Sequence, residues 1–345
     1  METKPRRSKA PAASSPRRRR LPGDPATRYA KAVVSGKTIA GPHVRAACAR
    51  HIKDLEEGAA RGLIWDQEAV VHALAFFTEV LCLNGGEYEG KPFELLAWQR
   101  FVVGSIFGWK TVDGHRRFRV AYVETAKGSG KSPLAAGIGM YGMVADNEAR
   151  AEIYAAATKK DQAMVLFRDA VAMWQLSPEL RSRLKTSGTG ENVWNLAYLE
   201  KGAFFRPISA DDGQSGPRPH IALIDEVHEH RNNTVVEMMR AGTKSRRQAL
   251  IFMITNSGSS KTSTCWGYHD YGAKIADGIL EDDTFFSYIC SLDVGEDPIR
   301  NEKCWAKANP SLQEADLPGI KYLREQVREA RCMPAKEALV RRLCF

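Results

Sequence analysis

The chain has 345 residues, 43% of them hydrophobic, and a formal charge of +9 at pH 7, which fits one large core with appendages. Seven scattered cysteines (Cys48, Cys82, Cys265, Cys290, Cys304, Cys332, Cys344) never form a C-x-x-C pair, so a disulfide framework or zinc module is excluded and a reducing cytosol is expected. No apolar run approaches the roughly 20 residues a membrane span needs, so the expectation is a soluble, cytoplasmic protein with no membrane contact.

Most of the charge is local. Residues 1–20, METKPRRSKAPAASSPRRRR, hold eight Lys and Arg against one Glu, and the rest of the chain carries only +2. Rich in Pro, Ser and Arg, residues 1–30 read as a basic disordered tail that lacks the apolar segment of a secretory signal. Such a tail either docks on nucleic-acid phosphates or solubilises the protein.

Residues 31–110 read as an N-terminal helical segment. Val44, Ala47, Cys48, His51 and Leu55 fall at helical spacing, and WDQEAVVHALAFFTEVLCL forms a further helix that stops at Asn84-Gly85-Gly86. KPFELLAWQRFVVGSIFGWK places Gln99 after an apolar-aromatic run, where its amide can donate to and accept from a purine edge. An aromatic-rich core helix would account for Trp98, Phe101 and Phe107 equally well, but not for Gln99.

Residues 111–310 alternate strand and helix. RVAYVET is a strand, SPLAAGIGMYGMVA a helix, AEIYAAAT a strand, and KKDQAMVLFRDAVAMWQL a helix with Ala163, Phe167, Val171 and Trp174 on one face. VWNLAYLEKGAFFRPIS reads as a hairpin, while HIALIDE and QALIFMITNS read as buried strands. Near-continuous apolar strands alternating with helices predict an α/β fold with a mostly parallel sheet covered on both faces. Residues 311–345 read as a C-terminal helix and linker, with Ile320, Leu323, Val327 and Ala330 in one stripe.

Between the first strand and its helix lies ETAKGSGKSPLAA. The usual phosphate loop has a glycine where this chain has Thr125. Backbone N–H groups from Lys127 through Gly128, Ser129, Gly130 and Lys131 to Ser132 can wrap phosphates at a helix N-terminus. Lys131 would neutralise them, the Ser132 hydroxyl would hold Mg²⁺, and Pro133 suits a first turn. A flexible Gly-Ser turn is the bland alternative. Against it stands HIALIDEVHEH, 94 residues after Lys131, whose strand-end Asp225 can orient the Mg²⁺ shell while Glu226 polarises the attacking water. A carboxylate pair can also cap a helix, but capping would not predict the upstream loop. His228 and His230 invite a metal site without a clear three-ligand face; a polar coupling role for His228 is plainer. Thr255 and Asn256, ending the next apolar strand, are placed to sense the γ-phosphate.

In order along the chain, YAKAVVSGKTIAGPHVRAACARHIKDLE, FELLAWQRFVVGSIFGW, AYVETAKGSGKSPLAA, ATKKDQA, SADDGQSGPRPHIALIDEVHEH and ITNSG resemble the motifs of the large terminase subunit of tailed bacteriophages, the ATPase of the genome-packaging motor. The resemblance implies a P-loop NTPase of ASCE, RecA-like type that uses ATP and Mg²⁺ in the host bacterial cytoplasm. It further implies a homo-oligomeric ring acting on double-stranded DNA, with a portal protein and a small terminase subunit as partners. In that family the loop lacks its first glycine and carries a basic residue that contacts phosphate, which places Lys127 there. A neighbouring subunit supplies an arginine, for which Arg218 is the candidate. In that family a metal-dependent nuclease domain of RNase H-like fold follows the ATPase, and the linker to it would start at about Phe345, so DNA cleavage is not expected of these 345 residues. A superfamily 2 helicase-like translocase, suggested by DEVH and an upstream Gln, and a nucleotide-binding scaffold without turnover are the alternatives.

Overall fold

A computed structural model describes residues 24–209, 216–230 and 232–345. The tail through residue 23 and residues 210–215 of the acidic motif lie outside them. Asp24 caps the first helix by accepting the Thr27 N–H at 2.9 Å, with Pro25 at the first helical position. The helical flank therefore begins at residue 25, inside the stretch expected to be tail. It comprises α1 (Pro25–Val34), α2 (Pro42–Glu57), β1 (Leu63–Trp65), α3 (Gln67–Val80), α4 (Ala97–Gly108) and β2 (Trp109–Thr111).

A relay of hydrogen bonds ties this flank together. The Trp109 indole donates to His51 Nδ1 at 3.0 Å, His51 Nε2 meets Thr27 Oγ1 at 3.0 Å, and that hydroxyl donates to Asp24 Oδ2 at 2.8 Å. Since the indole only donates, His51 must be neutral with its proton on Nε2. Burial pushes the ring down to about 4. A base depressed in the folded state costs stability as pH falls from its unfolded value near 6.5 towards 4, by about 3 kcal/mol. Urea midpoints of wild-type and His51→Gln protein should therefore converge between pH 7 and 4.5. A parallel decline would remove His51 from the acid response.

The central unit runs β3 (Val120–Glu124), α5 (Lys131–Val144), β4 (Glu152–Ala157), α6 (Lys160–Leu176), α7 (Pro178–Arg183), β5 (Lys185–Ser187), β6 (Asn195–Tyr198), β7 (Ala203–Ser209), β8 (Ile221–Ile224), α8 (Thr234–Gly242), β9 (Leu250–Thr255), α9 (Thr264–Ala276) and β10 (Phe285–Ile289). The sheet order is β10-β3-β9-β8-β4-β7-β6-β5, with every pairing parallel up to β7 and antiparallel beyond it. Ala121 and Val123 face a core shared with the flank, α5 and α6, whereas Val120 and Tyr122 face α8 and α9. This is the predicted mostly parallel α/β sheet covered on both faces. Parallel strands bring their C-terminal ends to one edge, so Thr125, Asp225 and Thr255 meet there.

The C-terminal segment carries α10 (Trp305–Ala308), α11 (Leu312–Ala315), α12 (Ile320–Cys332) and α13 (Pro334–Cys344). Ile299, Trp305, Leu323, Val327, Val340 and Cys344 form a separate small core. No helix among the described residues is long and apolar enough to cross a membrane, and all seven cysteines are free.

Candidate active site

The loop after β3 turns on two glycines. Gly128 and Gly130 have φ of +87° and +82°, left-handed values that a Cβ disfavours, and a Cβ on Gly128 would lie 2.8 Å from the Pro318 side chain. Thr125 has no positive φ, so its place needs no glycine. Its carbonyl and hydroxyl instead accept from Lys131 Nζ at 2.9 and 3.2 Å. Lys131 also meets the Ala126 carbonyl at 2.9 Å and Asn256 Oδ1 at 2.7 Å. Burial pushes the ammonium down to about 8, although Glu226 and Asp225 act the other way.

Asp225 is buried at the end of β8. Burial and then the charge of Glu226 push its carboxyl up to about 7, against the opposing charge of Lys131. Ser132, in the first turn of α5, carries a hydroxyl, an oxygen donor of the kind Mg²⁺ takes. Glu226 sits at φ +50°, ψ 49°, a strained conformation for a residue with a side chain. Its Oε2 lies 3.1 Å from His228 Nδ1. The His228 backbone N–H donates to Thr255 Oγ1 at 3.0 Å, and its ring approaches that hydroxyl at 3.2 Å. His228 thus joins the acidic strand to the end of β9. His230 turns inward, its Nε2 3.1 Å from the Asp225 carbonyl. Among the described residues no three His, Cys, Asp or Glu are grouped to hold a metal ion.

Gln99 reaches the site from α4. It is buried, and its Nε2 would lie 3.5 Å from a Cβ on Gly130. Its Oε1, however, accepts the Leu96 N–H at 2.8 Å. The oxygen thus caps the first turn of α4, while the amide NH₂ faces the loop side. Arg218 precedes β8 at the opposite edge of the sheet. Its side chain is 71% exposed and 3.7 Å from Glu152, so the fold does not gather it into its own chain's site.

The C-terminal segment does not lead away from the loop, as a linker would. The Lys127 N–H, expected to face phosphate, donates to the Leu343 carbonyl at 2.8 Å, and the Ala126 N–H donates to Ala308 at 3.2 Å. Ser311 Oγ accepts from the Trp98 indole at 2.9 Å and donates to the Ser129 carbonyl at 3.0 Å. The Lys127 side chain is exposed. No local pattern announces these contacts, since they join segments far apart in sequence.

Residues 97–274 match the pattern of the family described as the terminase large subunit, ATPase domain. The chain is 22% identical over 276 residues to the large terminase subunit of Enterobacteria phage HK97, covering 78% of this chain and 51% of that protein. It is 31% identical over 150 residues to protein YmfN of Escherichia coli (strain K12), covering 43% of this chain and 31% of that protein. The crystal structure of the HK97 bacteriophage large terminase superposes with a TM-score of 0.68 at 20% identity, covering 80% of this chain and 54% of that one. The chain spans about half the length, or less, of these relatives.

Proposed function

We propose that this chain, which belongs to the family of terminase large-subunit ATPase domains, hydrolyses ATP to drive double-stranded DNA into a viral procapsid. The family match favours this over the helicase-like alternative. The observation that carries the reading is the meeting of Lys131, Asp225-Glu226 and Asn256 at the C-terminal ends of β3, β8 and β9, three adjacent parallel strands.

The loop amides from Gly128 to Ser132 and the Lys131 ammonium would hold the phosphates. For that, Lys131 exchanges Asn256 for phosphate, and the Lys127 N–H exchanges the Leu343 carbonyl. The Lys127 side chain, exposed beside the loop, supplies a second positive charge as a point donor. The Gln99 amide NH₂ would meet the purine. Ser132 and Asp225 would hold Mg²⁺, which neutralises developing phosphate charge when bound. Glu226 would orient and deprotonate water, and Thr255 and Asn256 would report the γ-phosphate through His228 and Lys131. Arg218, exposed on the far edge, can serve only the site of another copy, which suits a transition-state arginine supplied across a homo-oligomeric ring. A portal protein and a small terminase subunit would complete the motor in the host cytoplasm.

Contacts that move DNA without reading it fall on the phosphate backbone. ATP turnover by the purified chain should therefore be stimulated equally by two unrelated duplexes, and the stimulation should fall as salt rises. Turnover indifferent to any duplex would remove the DNA half of the proposal.

A further inference from the structure

Three consecutive residues at the end of β9 are each held by a different element. His228 holds Thr255, and Lys131 holds Asn256. The third hold belongs to no part of the machinery described so far: Ser257 Oγ donates to Glu124 Oε1 at 2.9 Å.

Glu124 is the last residue of β3, immediately before the phosphate loop, and only 3% exposed. Its Oε2 accepts from Tyr122 Oη at 2.7 Å and from His269 Nδ1 at 2.9 Å. Burial alone would raise the Glu124 carboxyl, but His269, Tyr122 and Ser257 together hold it below its ordinary value, and Glu124 in turn raises His269. The two are joined by a contact in which each favours the charged form of the other. His269 lies on α9, stacked on exposed Trp266 with ring centroids 5.0 Å apart and edge-on to His43 of α2 at 5.6 Å.

A buried carboxylate held by polar side chains is seldom the most stable way to fill a core; apolar residues of the same volume often do as well. What this one supplies is a directed hold on Ser257 at the point where the phosphate loop begins. Nucleotide binding takes Lys131 away from Asn256, leaving two holds on the stretch. With Ser257 fixed, Thr255 stays on His228, and His228 stays beside Glu226.

We infer that Glu124 and His269 are positioning residues for ATP turnover, fixing Ser257 so that the end of β9 stays aligned with His228 and Glu226 when Lys131 leaves, and linking that strand end to α9. The inference rests on the ATPase reading. Neither residue touches the phosphate or purine contacts proposed above, so turnover and affinity should separate.

The test measures kcat for ATP and the Kd for ADP in Glu124→Gln, Ser257→Ala, His269→Asn and the Glu124→Gln/His269→Asn double variant, each checked by thermal melting. Each single substitution should lower kcat about tenfold while ADP affinity stays within about twofold, and the double variant should be no slower than the slower single one. Should Glu124→Gln fail to fold, Ser257→Ala, which removes one hydroxyl, decides the matter with His269→Asn. An unchanged kcat in Ser257→Ala, ADP affinity lost in step with kcat, or multiplying effects in the double variant would each overturn the inference while the ATPase reading stood. A wild-type chain without ATP turnover would overturn both.

Discussion

Glu226→Gln protein is expected to bind ATP at least as tightly as the wild type and to hydrolyse it at least about 100-fold more slowly, the scale on which a positioned general base contributes. Glutamine keeps the shape of the side chain but cannot accept the proton of an attacking water. The backbone at φ +50° is set by the turn after β8, and the side chain is 38% exposed, so the exchange leaves the core intact. Binding should not suffer, because the Glu226 charge is one cause of the raised Asp225 carboxyl. Removing it lets Asp225 ionise more readily and hold a cation better. Single-turnover hydrolysis with a parallel titration of a fluorescent ATP analogue separates the two effects. Wild-type turnover in this variant would move the base elsewhere, with Glu229, on the other side of His228 at 3.2 Å, the next group to test.

The residues whose placement was legible in the sequence were those at strand ends. Lys131, Asp225, Glu226, Thr255 and Asn256 each follow or precede an apolar run, and parallel pairing alone brings such ends together. Thr125 already stood out as the missing glycine of a variant loop, and the structure adds its carbonyl and hydroxyl on Lys131. Gln99 lies beside the loop, but its third position in α4 was also a capping signal, and its amide oxygen caps that turn. The aromatic run of β10 could have been read as a strand. By contrast, α9 has no clear apolar stripe, and its His269 contact with Glu124 joins residues with no shared local pattern. Pro334 starts α13 at its first position, the ordinary place for proline in a helix. That the last turn of α13 would set Leu343 on Lys127 is a property of the C-terminal core, which no stretch of sequence displays by itself.

Lys131→Ala should weaken nucleotide binding by at least about 100-fold, roughly the 3 kcal/mol of a buried charge-assisted contact, without unfolding the unliganded protein. The lysine is buried and pushed down to about 8 from an ordinary value near 10.5. A base depressed in this way costs the folded state at pH below 8, and the cost is recovered as pH rises from 8 to 10.5, where the unfolded chain still binds the proton and the folded one does not. The substitution leaves Asn256 Oδ1, the Thr125 carbonyl and hydroxyl and the Ala126 carbonyl without this donor, but removes this opposing cost. Wild-type stability should therefore rise between pH 8 and 10.5, and that rise should be missing from Lys131→Ala. Denaturation across this window shows whether the variant is folded while calorimetry measures nucleotide binding. A folded variant with unchanged affinity would mean that the turn at Gly128 and Gly130 cradles no phosphate.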